Sequence, residues 1–165
     1  MQTLNDLVLH FLKDIYFAER QILKALPKMA KAATSPALKQ ALLQHKDETE
    51  HQVERLVGVF EQLGKRPQGV TCEAIKGLIE EGEEVVEDSP AGPVRDAGIV
   101  ACAQAVEHYE MARYGALIAW AKTAGQTQAV SLLQETLDEE KKADTLLNDL
   151  ANREINKQAA SGKAA

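Results

Sequence analysis

Apolar residues recur at intervals of three and four along almost the whole chain, and alternating runs rich in Val, Ile and Thr do not occur. This period predicts five helices. The first spans about Thr3 to Ala33 and carries Leu4, Leu7, Phe11, Ile15, Ala18, Ile22, Leu26 and Met29 on one face, with a kink expected at Pro27. Ser35 reads as the N-cap of the second helix and Pro36 as its first residue. That helix runs to about Leu63 and stops at Gly64, after which Arg66-Pro67-Gln68-Gly69 is a turn. Thr71 is the expected cap of a shorter third helix with the stripe Cys72, Ile75, Ile79 and Val86, ending near Asp88-Ser89-Pro90. Pro93 opens a fourth helix to about Ala124, apolar on a broad arc and expected to be the most buried. After Gly125 a fifth covers about Gln126 to Asn156.

Two long helices, a crossover and two more long helices predict an all-α, ferritin-like four-helix bundle with an extra crossover helix. A length of 165 residues with 45% hydrophobic content suits one domain over residues 1–160, followed by a flexible tail at 161–165. The two halves also line up at an offset of 92 residues, which sets Glu48 on Glu140, Gln52 on Asp144 and Leu38 on Val130, with Glu19 one residue from Glu110.

Acidic residues interrupt the apolar stripes. Glu19 lies between Ile15 and Ile22-Leu23, and the second helix reads Leu42, His45, Glu48, Gln52, Leu56, Val59, Leu63, with apolar ends around a polar middle. Glu48 and His51 have the Glu-x-x-His spacing that brings an oxygen and a nitrogen ligand to one metal, although the neighbours of His51 are mostly polar. Gln52 reads as a hydrogen-bonding support, and His45 either holds Glu48 or is a satisfied core histidine. The fourth helix offers Glu107 and Glu110, and the fifth offers Glu140 and Asp144 within Val130, Leu133, Leu137 and Leu147. Position 143, where a second Glu-x-x-His would end, is alanine, so Asp144 replaces that nitrogen or the site has one ligand fewer. His108 reads as packing or support, Asp14 as an edge residue, and Tyr16, Tyr109 and Tyr114 as core aromatics with one a candidate hydrogen-bonding or redox neighbour. Carboxylates in a core repel one another and lose solvation unless a cation joins them, and few Lys or Arg share these stripes. The alternative is pairing with buried Arg or Lys, or a solvated face, as for Glu80-Glu81 and Glu83-Glu84. The metal set expected is Glu19, Glu48, His51, Glu107, Glu110, Glu140 and Asp144, holding two Fe or Mn ions per chain; no catalytic residue is assigned.

A net charge of −6 without a basic run argues against nucleic acid as a partner. Cys72 and Cys102 sit in helical patterns rather than at metal spacing, as buried thiols of a reducing cytoplasm would. The start of the chain carries no secretory pattern, and no apolar stretch spans a bilayer.

The segments Asp14-Ile15-Tyr16-Phe17-Ala18-Glu19, His45 to Leu56, Cys72-Glu73-Ala74, Gly77-Leu78-Ile79-Glu80-Glu81, Val106-Glu107-His108-Tyr109-Glu110 and Leu137 to Asp144 resemble the YciE/YciF family of ferritin-like proteins, its YciF branch most. The resemblance implies a cytoplasmic five-helix protein, a homodimer, with a di-metal centre and a link to bacterial stress responses. By similarity to rubrerythrin-type sites it implies ligand positions at Glu19, Glu48, His51, Glu107 or Glu110, and Glu140; Ala143 departs from that pattern. The expected function is peroxide or iron handling by a di-iron or di-manganese protein with an unidentified electron donor. The alternatives are a non-catalytic structural or interaction protein with a weak or vestigial site, and an iron-storing shell.

Overall fold

A computed structural model describes residues 1–162 of the chain; of the tail expected at 161–165, residues 163–165 lie outside it. Helix α1 spans Leu4–Ala32, α2 Pro36–Gln62, α3 Glu73–Asp88, α4 Pro93–Thr123 and α5 Thr127–Leu150. A π-helical turn, Ala151–Ile155, and a short α6, Asn156–Ala160, extend α5. The architecture is the all-α bundle expected from the period: α1 packs on α2 and α4, and α5 packs on α2 and α4, closing a four-helix ring. Helix α3 lies outside the ring against α1 and α4.

Local chemistry sets the ends of these helices. Thr3 and Asp6 form a reciprocal capping box, with Asp6 N–H donating to Thr3 Oγ1 at 3.1 Å and Thr3 N–H to Asp6 Oδ2 at 3.0 Å. Ser35 and Pro36 start α2 as expected. Gly64 (φ 64°) and Gly125 (φ 73°) stop α2 and α4 in the left-handed region that residues with a Cβ rarely enter. Helix α1 continues through Pro27, and α4 buries the most residues of the ring. Two boundaries differ from expectation. Cys72 rather than Thr71 precedes α3, and its side chain makes no capping bond. The fifth helix widens at Ala151–Ile155, because the four-residue steps Leu147, Ala151, Ile155 outrun a 3.6-residue turn and the wider π turn keeps all three buried.

The repeat also shifts. The buried positions of α2, Leu38, Leu42, His45, Thr49, Gln52, Leu56 and Phe60, match those of the fifth helix and its extension, Ala129, Leu133, Thr136, Glu140, Ala143, Leu147 and Ala151, at an offset of 91 rather than 92. The same step sets Glu19 on Glu110. The shared glutamates at 48 and 140 suggest 92, but Glu48 lies one residue off the buried stripe, so Thr49 is the counterpart of Glu140.

Asp96, buried in the first turn of α4, fixes how the halves meet. Its carboxylate accepts the backbone N–H groups of Thr34 and Ser35, each at 2.7 Å, and ties the α1–α2 corner to α4. The connection to α3 is pinned in turn by the Val70 N–H donating to the Lys13 carbonyl at 3.2 Å. Removing the Asp96 carboxylate strands two N–H groups, so Asp96→Ala should lose about 2–4 kcal/mol and Asp96→Asn less. Urea unfolding followed by far-UV dichroism measures this; an unchanged midpoint in Asp96→Ala would mean that the corner holds without the clamp.

Candidate metal centre

Each ring helix delivers a polar group to the middle of the bundle from between apolar neighbours. On α1, Glu19 lies between buried Ile15 and Ile22; on α4, Glu107 and Glu110 lie between Ala103 and Leu117; on α5, Glu140 lies between Leu133 and Leu147. His45 arrives from α2. Atoms of His45, Glu107, Glu110 and Glu140 all fall within 4.8 Å of one another, and all four residues are buried. The His45 imidazole Nε2 is 3.2 Å from Glu107 Oε1 and 3.7 Å from Glu140 Oε2, without hydrogen-bond alignment. Its Nδ1 is 3.7 Å from Glu48 Oε2.

A ring of supports orients the carboxylates. The Tyr114 hydroxyl, itself buried, donates to Glu19 Oε1. Gln52 Nε2 donates to Glu140 Oε1 and, at 3.1 Å, to Glu139 Oε2. Behind it the Arg55 guanidinium grips Glu139 through two bonds of 2.8 and 2.5 Å and donates to Thr136 Oγ1 at 2.8 Å. The half-buried arginine that could have neutralised the cluster is thus committed to Glu139. Among the described residues no Lys or Arg forms an ion pair with Glu19, Glu107, Glu110 or Glu140. Glu19 Oε2, Glu107 Oε2, both Glu110 oxygens and Glu140 Oε2 have no hydrogen-bond partner.

The expected ligands fall into three groups. Glu19, Glu107, Glu110 and Glu140 converge as the stripes imply. Glu48 is at the rim: the stripe on α2 runs His45, Thr49, Gln52, and one residue is a rotation of roughly 100°. Its side chain is 33% exposed and accepts from Gln44 Nε2 at 3.0 Å. His51 and Asp144 are corrections to placement. The His51 side chain is 70% exposed and faces Glu54 at 3.5 Å, turned outward by the same phase. Asp144 Oδ1 accepts from Gln104 Nε2 at 2.9 Å and lies 3.3 Å from His108 Nε2, while Ala143 takes the buried position beside it. The nitrogen donor in the cluster is His45, which periodicity already placed near the core centre. Thr49 was absent from the expected stripe; it is fully buried, its hydroxyl donating to the His45 carbonyl at 2.8 Å.

Burial dominates the protonation chemistry. It pushes the Glu19 carboxyl up to about 8, with Glu140 adding to the shift and the Tyr114 hydrogen bond opposing it. Glu107 and Glu110 are raised well above the usual carboxylate range, first by burial and then by neighbouring carboxylates. Burial opposes charge on His45, but Glu48, Glu140 and Glu19 outweigh it and raise the imidazole. Off the cluster, the Tyr109 hydroxyl donates to Asp14 Oδ2 at 2.8 Å and lies 3.0 Å from Cys72 Sγ; Cys72 and Cys102 are both free and buried.

Residues 3–160 match the family described as a domain of unknown function, DUF892. The chain belongs to this family. It is 44% identical over 160 residues to Protein YciF of Escherichia coli strain K12, covering 96% of each chain. The solved structure of the E. coli stress protein YciF superposes with a TM-score of 0.91 at 44% identity, over 95% of this chain and 99% of that one. YcfI of Rhodopseudomonas palustris gives 0.86 at 55% identity, over 89% and 94%. A Xanthomonas campestris protein at 20% identity, with a TM-score of 0.75 over 96% and 98%, shares the fold. The resemblance to the YciE/YciF family therefore holds over nearly the whole chain, and no helix among the described residues is long and apolar enough to cross a membrane.

The cluster makes stability depend on pH with a definite sign. Glu19 holds its proton in the folded state up to about 8 but releases it near 4.5 when unfolded. Between these values the folded chain binds more protons, so rising pH favours unfolding. The raised Glu107, Glu110 and His45 act in the same direction. Chelated protein should therefore lose stability from about pH 5 to 8, and Glu19→Gln should flatten that slope. Urea titrations at intermediate pH values test this; a midpoint that rises over the window would contradict it.

Proposed function

We propose that the protein is a ferritin-like di-metal protein, loaded with iron or manganese, that handles peroxide or iron during stress. The observation that carries this reading is the set of buried carboxylate oxygens without partners around a single imidazole. A hard or borderline divalent cation fits such oxygen-rich donors with one nitrogen better than any neutral group does. His45, Glu107, Glu110 and Glu140 would hold one ion, with Glu19 from one end and Glu48 from the rim reaching toward a second. An iron or manganese pair, when bound, supplies two electrons to a peroxide without help from a distant donor.

The chain's own groups provide positioning and access. Tyr114 holds Glu19, and Gln52 holds Glu140 with Arg55 and Glu139 behind it. Gln52 and Tyr114 thus fix one oxygen of each carboxylate and leave the other free. Where Ala143 stands, a cavity of about 110 Å³ reaches His45, Glu48 and Glu107 between α2 and α5, beside Lys142. It is polar at its floor and large enough for water or hydrogen peroxide. The E. coli relative YciF is a stress protein, which supports the physiological side of the reading. The homodimer and the cytoplasmic setting that the resemblance implies belong to the same proposal.

A second reading rests on Ala143 and His51: with one imidazole at the cluster, the site is poorer in nitrogen than the sequence pattern suggests, as a weak site in a structural or interaction protein would be.

Protein expressed with iron or manganese should carry up to about two ions per chain. Glu110→Ala and Glu140→Ala should abolish binding, His45→Ala weaken it, and His51→Ala leave it unchanged. Elemental analysis after desalting decides; less than about a tenth of an equivalent under every loading condition leaves the second reading. Reduced, loaded protein should consume hydrogen peroxide faster than the free ions, and Glu110→Gln should slow it about 10–100-fold. In stopped-flow absorbance, loaded protein no faster than free ions would sink the redox reading while keeping the metal.

A further inference from the structure

The stripe of α3 is incompletely covered. Ile75 and Gly82 are its buried residues, whereas Leu78, Ile79 and Val86 remain partly exposed although they face α1 and α4. The helix is nevertheless docked closely: a Cβ on Gly98 of α4 would come within 2.5 Å of Val85 Cγ1. The exposed part of the stripe therefore does not reflect a loose helix. It lines a cavity of about 340 Å³, bounded by Ile22, Leu26 and Met29 of α1, by Leu78, Ile79 and Val86 of α3, and by α4. That volume lies within the range of small-molecule pockets and is more than double an engineered apolar cavity that binds benzene.

The two ends of the cavity differ from its walls. At the mouth stands the exposed Lys28–Glu83 ion pair, 2.9 Å long, with Glu87 nearby. At the inner end are His45 and Glu107, the same two residues that line the small cavity beside Ala143, so this pair is the wall common to both. Glu107 Oε2 has no hydrogen-bond partner there. An alkyl tail along the walls would bury the remaining α3 stripe, and a hydroxyl at the inner end could donate to that oxygen. An anionic head meets carboxylates at both ends. A cationic head would compete for the carboxylates that the proposed metal takes, and a charge of either sign would be stripped of water.

We infer that this cavity is a binding site for a single-chain alkyl compound with a hydroxyl head, tail among the α1 and α3 side chains and head toward Glu107. The site does not require the metal, so chelated protein suffices for the test and failure there leaves the metal reading intact.

Cys102 lines the cavity and Cys72 does not, so ligand should protect one thiol selectively. With 1-octanol as probe, calorimetry should show saturable binding, and modification of Cys102 by N-ethylmaleimide, read by peptide mass spectrometry, should slow about tenfold at saturation. Octanoate should do neither. Ala25→Phe, which adds bulk to the wall, should abolish octanol binding with an unchanged circular dichroism spectrum. Ile79→Ala, which enlarges the same space, should shift the preference to 1-decanol, and this variant serves if Ala25→Phe does not fold. Octanoate binding as well as octanol, no protection of Cys102, or a folded Ala25→Phe that binds octanol like the parent would each overturn the inference.

Discussion

Four buried glutamates meet in the middle of a helical bundle with one imidazole among them, and the surrounding structure is arranged around that electrostatic load. Removing a carboxylate from water is costly, and several together repel one another, so an apolar bundle of this length would be simpler without them. The chain tolerates them through three devices. Tyr114 and Gln52 each satisfy one oxygen of a buried glutamate; the neighbouring carboxylates raise the proton affinity of His45; burial raises that of Glu19, Glu107 and Glu110. A cation taken up here must therefore displace protons, which couples its affinity to pH and to folding.

The apolar turns on either side hold this load in place. Above and below the acids, the stripes of the ring helices return to Leu, Ile, Val and Ala, so the polar layer lies between packed apolar layers and cannot shift without breaking both. Asp96 fastens the α1–α2 corner to α4, and Arg55 fastens α2 to α5 through Glu139 and Thr136. Arg55 matters twice, because its use in that bridge leaves the central carboxylates without a guanidinium. Helix α3, outside the ring, keeps Leu78, Ile79 and Val86 of its apolar stripe only partly covered.

The ring helices and the four central glutamates were legible because a charge in an apolar stripe stands out whatever the exact phase. The rest depended on phase. On α2, Glu48, Thr49 and His51 are all polar, so the three-and-four pattern fits Leu42-His45-Glu48-Gln52 almost as well as Leu42-His45-Thr49-Gln52; packing selects the second and turns His51 outward. The same ambiguity misplaced the repeat by one residue. Asp144 was drawn inward by its neighbourhood to Glu140, but Ala143 has the buried phase and Asp144 finds Gln104 at the edge. Pairings across the bundle, such as Tyr114 with Glu19, leave no trace in a single sequence, because they depend on how two helices are set against each other rather than on either period alone.

The corrected repeat changes how the centre is understood. At an offset of 91, Glu19 and Glu110 are equivalent positions, one from each half, and they anchor an approximate two-fold arrangement. Beyond that pair the halves diverge: Thr49 stands opposite Glu140, Thr136 opposite His45, Tyr16 opposite Glu107 and Gln52 opposite Ala143. The second half therefore brings three buried carboxylates, whereas the first brings one together with the imidazole and a neutral amide. Carboxyl groups are concentrated on the α4 and α5 side, and the imidazole and the amide that steadies Glu140 come from α2. Two ions bound as proposed would therefore differ in their surroundings, one among the oxygens of α4 and α5 and the other dependent on Glu19 and the half-exposed Glu48. Ala143 falls on the same side and lines the cavity between α2 and α5 that reaches His45, Glu48 and Glu107, so a small side chain at this position leaves that approach open.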